Sequence, residues 1–455
     1  SFVTPYGKRL VMGGKSGWQW VYDLTDYAPI LRGLKELHIG NNQELLDLKF
    51  YFIEGVPPRN SISISNLYPL GDYDGHYGYT YKYKDISNNA VLKPRKIDLD
   101  PLASEFSIKS IISGHGHEGP KNCCEWVSKS HYYIINDLKE HTWNIWKDCG
   151  NNPIYPQGGT WPFDRAGWCP GTKVHEEIFD FTNIVNPGQT INFDYEIEKM
   201  EDSNEGEGIY RISHQLFSYG PPNFKRNLEI VDIENPSSKN KHSRTNPTLG
   251  GAKIKIKNIG SENIRKIKFY YGLKNGKKSI FHWKGDLKFL ESMNIKFPLN
   301  DWTGLKSNQS FFVEAITVNG RKDENPIDNK ITSSVRIPPV FPTNFVIKLK
   351  TNNFGRSKQN SFSIHDYYDS IYYLESQFLD STDYDVLIKL ENGLYQFVFK
   401  DFNEDGIDKL WWKEKDSVGV AGALSFYDLD QNLLKVFPPD FGQEIRMDFI
   451  VGPIP

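Results

Sequence analysis

The sequence predicts an all-β protein built from several sandwich domains. Short runs of valine, isoleucine, tyrosine and phenylalanine recur along most of the chain, and 37 glycines and 26 prolines in 455 residues supply frequent turn signals between them. Runs of this kind, with few helical repeats, are typical of β-sandwiches rather than helical bundles. At the usual ~100–150 residues per domain, the length indicates three or four domains.

Charge and hydropathy exclude two classes of partner. Lysine and arginine number 54 against 57 aspartates and glutamates, a formal net charge of −3, so no overall positive field attracts nucleic acid or an anionic membrane. No apolar stretch reaches the ~18–20 residues of a membrane helix. The sequence opens at Ser1 without methionine or a signal peptide, which predicts a mature, processed product. A neutral partner such as a glycan fits this composition better.

Proline-rich joints divide the chain, since proline fixes its own backbone and restricts the residue before it. The joints are Pro57-Pro58, Gly220-Pro221-Pro222 and Pro338-Pro339, and the predicted domains are residues 1–58, 59–220, 221–338 and 339–455.

The third and fourth domains are predicted to be β-modules. Clean alternation over 252–258 and 311–318, with an Asn275-Gly276 hairpin signal between them, is typical of an immunoglobulin-like sandwich. This domain resembles adhesion-type modules appended to secreted bacterial enzymes. Residues 339–455 resemble terminal modules of secreted Bacteroidetes proteins, through Gly393–Phe397, Asp405-Gly406 and Asp440–Gly442.

Three segments of the second domain carry the chemistry. They are Ser113–His117 (SGHGH), Cys124–Trp126 (CEW) and Asp164–Gly171 (DRAGWCPG). If they meet at one end of a sandwich, a carboxylate, a guanidinium, two indoles and two imidazoles converge, a combination able to grip a sugar and hydrolyse an amide. In this order, the segments resemble the second jelly roll of the bacterial peptide-N-glycosidase F enzymes, which cut N-linked glycans from asparagine.

The resemblance runs from about Ser1 to Tyr219 and implies tandem jelly-roll sandwiches, of which the first is incomplete. Strand-like stretches at 20–27 and 45–53 match only the later strands of the family's first domain. A sandwich with half its strands leaves a sheet edge and an apolar face open to water. The resemblance therefore implies a cleaved N-terminal light chain that completes this domain and carries the family's catalytic aspartate. In the chain alone, Val21, Leu24, Leu48 and Phe50 are expected to be exposed.

The resemblance also assigns site residues. Glu125 matches the glutamate that orders the site water, and Arg165 matches an arginine that supports the catalytic acid; a planar guanidinium suits bracing a carboxylate. Asp164 is expected to be scaffold. His115 stands where the family usually has tryptophan. The residues expected to bind substrate are Trp126, His117, His115, Trp168 and Asn42, whereas Trp161 is expected to pack.

The four cysteines lie in one region, and their spacing is not that of a zinc site. The resemblance pairs Cys149 with Cys169 and implies an oxidising compartment, either secreted or periplasmic. For Cys123 and Cys124 three states remain open: buried thiols, a vicinal disulfide, or a bond to another chain.

The implied activity is hydrolysis of the glycosylated asparagine amide in N-glycoproteins or glycopeptides, without a cofactor. One alternative is a non-catalytic glycan-binding or adhesion protein. A second is a copper monooxygenase, a class that shares the double jelly-roll architecture, with ligands drawn from His115, His117, His131, His141 and Met200. Separately, Asp401, Asn403 and Asp405 resemble the start of a calcium loop, although Trp412 stands where the bidentate glutamate belongs.

Overall fold

We describe the protein from a computed structural model. It describes residues 18–37, 47–68, 80–118, 123–200, 208–299, 302, 305–306, 308–410 and 419–453; Asn42 and Trp412 lie outside these ranges. The described residues are nearly all β, as predicted. No helix among them is long and apolar enough to cross a membrane. The chain divides into two compact units, one with Gln19–Asn152 and Phe163–Asn223, the other with Pro153–Pro162 and Phe224–Pro455.

The first unit contains a β-sandwich of two antiparallel sheets. Its strands are β1 (Arg59–Asn66), β2 (Thr80–Lys82), β3 (Arg95–Asp98), β4 (Glu105–His115), β5 (His117–Glu118), β6 (Cys123–Cys124), β7 (Ser130–Ile135), β8 (Leu138–Asn144), β9 (Glu176–Asp180), β10 (Thr190–Ile197) and β11 (Ile209–Pro222). One sheet has the order β1-β11-β4-β9 with β2 beside β11, the other β3-β10-β7-β8, and β5 and β6 form a separate ribbon. Its short helices are α1 (Tyr83–Ser87) and the 3₁₀ turns Thr25–Tyr27 and Thr182–Ile184.

The long β4–β11 pair sets the position of the site. The two strands pair without a shift from Ile209 opposite His115 to Tyr219 opposite Glu105. Side chains of β4 are buried on alternate positions over much of its length, as period-two geometry requires. The end of β4 that carries His115 therefore lies beside the start of β11.

Residues 18–37 and 47–58 do not form the strands predicted for them. Over 18–37 and 47–58 the only regular element is the 3₁₀ turn Thr25–Tyr27. The turn packs on the first sheet: the Tyr27 ring meets Phe217 edge to face at 5.2 Å, and Asp26 forms a 2.7 Å ion pair with Lys109. The strand prediction is wrong here because alternation alone cannot supply a neighbouring strand, and a ladder needs one to satisfy its backbone groups.

The expected exposure in this region is confirmed. Val21, Leu24, Leu48 and Phe50 are exposed, and the run continues through Tyr51–Ile53, where Phe52 and Ile53 are 85% and 89% exposed. Consecutive large apolar side chains left in water mark a surface that is normally covered.

The second unit contains two further sandwiches. The first has β12 (Leu228–Asn235), β13 (Lys253–Asn258), β14 (Ile264–Leu273), β15 (Ser279–Leu287), β16 (Ser292–Lys296), β17 (Ser310–Val318) and β18 (Lys330–Ser334). Its sheets, β12-β13-β16 and β15-β14-β17-β18, give the three-plus-four arrangement of immunoglobulin-like modules. A 3₁₀ turn spans Asn240–His242.

The last sandwich has β19 (Val340–Phe341), β20 (Asn344–Lys350), β21 (Asn360–Asp366), β22 (Ile371–Ser376), β23 (Asp383–Lys389), β24 (Gly393–Asp401), β25 (Ala423–Tyr427), β26 (Leu433–Phe437) and β27 (Glu444–Val451), with a 3₁₀ turn at Ser357–Gln359. Its sheets are β19-β27-β24-β21-β22 and β23-β20-β25-β26. The domain boundaries read from the sequence stay a prediction.

The loop with the possible calcium ligands Asp401, Asn403 and Asp405 is held by hydrogen bonds and an ion pair within the protein. Asp401 Oδ2 accepts hydrogen bonds from the backbone N–H groups of Asp405 and Gly406 at 2.8 and 2.7 Å. Asp405 is ion-paired with the buried Arg356 at 2.8 Å. Arg356 therefore balances the charge of Asp405, and calcium binding at this loop stays a prediction.

The core of the first sandwich contains two buried histidines. His131 Nδ1 lies 2.7 Å from the Tyr195 hydroxyl, and His214 Nδ1 lies 2.6 Å from Ser110 Oγ and 3.0 Å from the Tyr133 hydroxyl. Burial lowers the pKa of each histidine to about 3. Both imidazoles are therefore neutral in the folded protein at neutral pH.

These histidines should make the first unit acid-sensitive. The unfolded chain protonates them near pH 6.5, whereas the folded chain does so only near pH 3. The unfolded state therefore binds more protons between these values, and stability falls as pH drops through the window, by up to about 1.4 kcal/mol per pH unit for each histidine. Urea unfolding followed by near-ultraviolet circular dichroism at pH 7 and pH 5 measures this loss.

The matched control removes the titrating groups. Burial raises the pKa of Asp194 to about 6, which acts in the opposite direction, so the histidine contribution is isolated by comparison with a variant. The His131→Gln/His214→Gln double variant should lose less stability than the unsubstituted protein between pH 7 and pH 5. Equal losses would show that the imidazoles do not drive the acid sensitivity.

Candidate active site

The three predicted segments meet at one end of the first sandwich. The Glu125 N–H donates to the Gly116 carbonyl at 3.0 Å, and the Ala166 N–H donates to the Glu125 carbonyl at 2.9 Å. The Gly114 N–H donates to the Ala166 carbonyl at 3.0 Å. Backbone hydrogen bonds thus join the end of β4, the residue after β6 and the 164–171 loop.

Two glycines make this junction possible. A Cβ on Gly114 would lie 2.1 Å from the Cys124 carbonyl oxygen, so no other residue fits between β4 and β6. Gly167 has a φ of +82°, and a Cβ there would lie 2.4 Å from the Ile112 carbonyl oxygen. Glycine is needed at the first position for close approach and at the second for both approach and backbone conformation.

A buried ion pair forms the centre of the site. Arg165 Nε donates to Glu125 Oε1 at 2.9 Å, with side-chain exposures of 0% for the arginine and 13% for the glutamate. Arg165 Nη1 donates to the Phe163 carbonyl at 2.7 Å. The contact uses Oε1 and leaves Oε2 with no hydrogen-bond donor among the described residues. Glu125 therefore keeps a partly accessible carboxylate oxygen beside a fixed positive charge.

Aromatic rings bracket the guanidinium. The Arg165 guanidinium carbon lies 4.3 Å from the ring centroid of Trp126 and 4.9 Å from that of Trp168, within the range of cation–π attraction. Trp168 also stacks on the His115 ring, at 5.2 Å between centroids and 30° between planes. Both tryptophans therefore contact the arginine that holds Glu125.

The two tryptophans differ in what they can offer a ligand. Trp168 is 3% exposed, and its indole N–H donates to the Gly114 carbonyl at 2.8 Å. The expectation that Trp168 stacks on substrate is corrected, because its ring is covered by its neighbours. Trp126 is half-buried and remains a candidate for sugar contact. Trp161, as expected, packs: it is fully buried within the second unit and donates to Asp440.

The two histidines of the first segment are placed differently. His115 Nε2 lies 2.8 Å from Ser113 Oγ. Burial, reinforced by the positive charges of Arg211 and Arg165, lowers the pKa of His115 to about 4, so its imidazole is neutral at neutral pH and offers hydrogen bonds without charge. His117 is exposed and lies opposite Cys124 in the small ribbon.

The 164–171 loop is tied down covalently. Cys149 and Cys169 form a disulfide with Cα atoms 5.5 Å apart, the pairing that the resemblance implied. Asp164 accepts hydrogen bonds from the Cys149 N–H at 2.9 Å and the Trp146 indole N–H at 3.2 Å. These contacts agree with a scaffold role for Asp164.

The other two cysteines bond to each other. Cys123 and Cys124 form a vicinal disulfide, and both residues are fully buried. Of the three states left open by the sequence, the structure has the second.

The structure does not assemble a copper site from the proposed ligands His115, His117, His131, His141 and Met200. His131 is buried against Tyr195, His141 binds Glu177 at 2.8 Å, and Met200 packs on the hydrophobic core. Within the described ranges, no group of three or more histidine, cysteine or carboxylate ligand atoms includes any of these histidines.

Sequence reasoning missed several contributors. Ser113 orients His115, Phe163 supplies a carbonyl to Arg165, and Arg211 adds positive charge beside His115. Ser113 lay inside a quoted motif, but nothing in its type marked it as a histidine partner. Arg211 comes from β11, 96 residues away in sequence from His115, and only the β4–β11 register brings them together.

Two comparisons with known proteins match peptide-N-glycosidases. The family model described as "Peptide-N-glycosidase F, C terminal" matches residues 82–217. A peptide-N(4)-(N-acetyl-beta-D-glucosaminyl)asparagine amidase F of Elizabethkingia miricola is 28% identical over 227 residues, which cover 47% of this chain and 61% of that protein.

Solved structures of the same enzymes are among the matches. A recombinant peptide:N-glycanase F is 25% identical, with a TM-score of 0.31, over 35% of this chain and 51% of the other. PNGase F of Flavobacterium meningosepticum is 23% identical, with a TM-score of 0.28, over the same shares. PNGF-II is 17% identical, with a TM-score of 0.28, over 36% and 30%.

The region matched by the family model contains all three segments that build the site, from the end of β4 to the 164–171 loop. Residues 82–217 of the chain are therefore similar to the C-terminal part of peptide-N-glycosidase F.

Proposed function

We propose that the chain hydrolyses the amide that links an N-glycan to its asparagine side chain. The observation that carries the proposal is the Glu125–Arg165 pair, buried on the arginine side and partly open on the carboxylate side. It lies within a region that matches the family model. Water adds to the amide carbonyl carbon, the carbon–nitrogen bond breaks, the glycan leaves as a glycosylamine, and aspartate remains in the peptide.

In this proposal, Glu125 orders the attacking water. One carboxylate oxygen is held by Arg165, so the other can accept a hydrogen bond from water in a fixed direction. Placing a reacting group in this way removes translational and rotational freedom before the reaction, a large source of rate enhancement. Arg165 acts by holding the carboxylate, since its own side chain is fully buried.

In the same proposal, the sugar binds at the rim of this site. The half-buried Trp126 ring and the exposed His117 flank Glu125 in the chain and the ribbon, respectively. An indole face binds the apolar face of a sugar ring, and an imidazole binds hydroxyl or acetamido groups. Neutral His115, one layer further in, provides a hydrogen-bonding group without attracting anions. This set suits an uncharged N-acetylglucosamine. Asn42, expected to join it, lies outside the described residues.

We further propose that a second polypeptide segment, N-terminal in origin, covers residues 18–58 and carries the catalytic aspartate. The exposed apolar run at Leu48–Ile53 supports this proposal, because contiguous exposed apolar side chains mark surfaces that bind a partner. The resemblance assigns the aspartate to that segment. The chain spans 61% of the length of the curated relative it matches.

Export to an oxidising compartment is part of the proposal. Two disulfides bond all four cysteines, and such bonds persist outside the reducing cytosol. Glycoprotein substrates meet a bacterial enzyme in the same place, at the cell surface or beyond.

Replacing the water-ordering carboxylate should abolish most activity. Glu125→Gln keeps the size of the side chain and removes its charge, so hydrolysis of a denatured N-glycoprotein should fall by on the order of 10²-fold or more. Glu176→Gln, at an exposed position on β9, is the matched control and should keep the original rate. Equal rates for all three proteins would refute the assignment, and retained glycan binding without hydrolysis in any of them would favour the glycan-binding alternative.

The arginine should not tolerate its usual replacement. Lysine cannot donate from an Nε–H to Glu125 and from a second nitrogen to the Phe163 carbonyl at once, and it does not stack between two indoles. Arg165→Lys should therefore lower kcat by about tenfold or more, with chelation by EDTA leaving the remaining rate unchanged. A copper-dependent, reductant-consuming activity in the same assays would instead support the monooxygenase alternative.

The second polypeptide should be detectable directly. Native mass spectrometry of the protein from its producing organism should show this chain bound to a smaller polypeptide, and denaturation should separate the two because no free cysteine is left to link them. Hydrogen exchange over residues 47–58 should be slower in the complex than in the isolated chain. A fully active preparation containing this chain alone would contradict the proposal.

A further inference from the structure

We propose that the Cys123–Cys124 disulfide is a positioning element that fixes Glu125 against Arg165. The inference rests on the proposed function only where it concerns rate; its structural part concerns the place of the Glu125 carboxylate. Both cysteines are fully buried, so the disulfide cannot touch a glycan. Its effect must pass through the residue that follows it.

The disulfide contributes little to global stability through chain entropy. A crosslink stabilises a fold mainly by closing a loop in the unfolded chain, and the gain grows with loop length. The Cys149–Cys169 bond has a sequence separation of 20, whereas that of Cys123–Cys124 is 1. A bond between neighbours closes no loop, so what it restricts is the local backbone that carries the two residues.

That local backbone is wedged between two strands. A Cβ on Gly114 of β4 would lie 2.1 Å from the Cys124 carbonyl oxygen, and a Cβ on Gly208, next to the start of β11, would lie 2.5 Å from the Cys123 carbonyl oxygen. The ring formed by the two cysteines thus sits in a slot that only glycines leave open. The slot fixes its position on both sides.

Glu125 inherits this position directly. Its N–H donates a hydrogen bond to the Gly116 carbonyl, and its carbonyl accepts one from the Ala166 N–H. Its side chain accepts a hydrogen bond from Arg165 at 2.9 Å. The residue before it, Cys124, is part of the disulfide ring. A catalytic group must lie well within 1 Å of its productive position, and a displacement of 1 Å lowers the rate by about 10²-fold. Opening the ring should therefore release the carboxylate from its place without removing any group that touches substrate.

The test uses Cys123→Ala/Cys124→Ala in the full chain with its partner segment. Two readouts are compared: the split between kcat and KM, and the Nε–H resonance of Arg165 in nitrogen-edited NMR, assigned with Arg165→Lys. The proposal expects kcat to fall by about tenfold or more, with a smaller change in KM, and the Arg165 resonance to shift and exchange faster with water.

The control is Phe181→Leu, a core change beside Phe106 at the opposite end of β4. It lowers stability without reaching the site, and should leave kcat and the Arg165 resonance unchanged at an equal loss of melting temperature. If the double cysteine variant fails to fold, Gly208→Ala keeps the disulfide and displaces it, and should give the same signature. Unchanged kcat and an unchanged Arg165 resonance in either variant would overturn the proposal.

Failure of the proposed function can be told apart from failure of this inference. A protein without amidase activity in any form would refute the reaction, yet the Arg165 resonance would still report whether the disulfide holds the ion pair. A protein that hydrolyses glycopeptides equally well with and without the disulfide would keep the reaction and refute the positioning role.

Discussion

The ion pair between Glu125 and Arg165 is the interaction on which the site depends. A fully buried guanidinium costs several kcal/mol to desolvate, so it is stable only with a well-placed counter-charge and further acceptors. The glutamate supplies the charge, the Phe163 carbonyl accepts a second hydrogen bond, and two indoles cover the faces of the guanidinium. Glu125 and Trp126 belong to one segment, and Phe163 and Trp168 belong to the loop of Arg165 itself, so the pair also holds these two segments together.

The ion pair depends on a close approach between the backbone of β4, the backbone next to β6 and the 164–171 loop. Arg165 reaches Glu125 because Ala166 bonds both Gly114 and Glu125, and this requires β4 to lie almost in contact with the backbone after β6. Glycines at 114 and 167 leave the space, and the Cys149–Cys169 bond limits the motion of the loop that presents Arg165. The chemistry of the site is thus set by side chains, but its dimensions are set by residues without them.

The sequence predicted the parts of the protein in which local pattern and tertiary environment agree. Alternation at 252–258 and 311–318 corresponds to strands β13 and β17, and in β13 alternate side chains are buried. The motif segments predicted that Glu125, Trp126 and Arg165 converge, and they do. The glycines of these segments allow tight turns, and the opposite charges of Glu125 and Arg165 favour an ion pair.

The rest depended on long-range packing that no local pattern contains. Trp168 looked like a sugar platform, yet burial by His115 and Arg165 removes its face from solvent. The spacing of Asp405 resembles that of a calcium ligand, and only the fold shows that Arg356, 49 residues earlier, donates a hydrogen bond to it. Residues 20–27 alternate like a strand, yet the regular element among them is the 3₁₀ turn Thr25–Tyr27, because a strand needs a neighbour that the described chain does not provide.

The same physics connects the uncovered surface with the covered site. Burial of apolar area stabilises a fold by about 25 cal/mol per Å². Phe52 and Ile53, which lie almost wholly in water, contribute almost none of this stabilisation. In the site, by contrast, the buried groups are charged or hydrogen-bonding, and their burial stabilises the fold little. Residues 18–37 touch the first sheet through Tyr27 and Asp26, and Trp20 donates to the Gly171 carbonyl at the end of the Arg165 loop. The loop that positions Arg165 is therefore contacted by Trp20, which belongs to the part of the chain that the proposed partner covers.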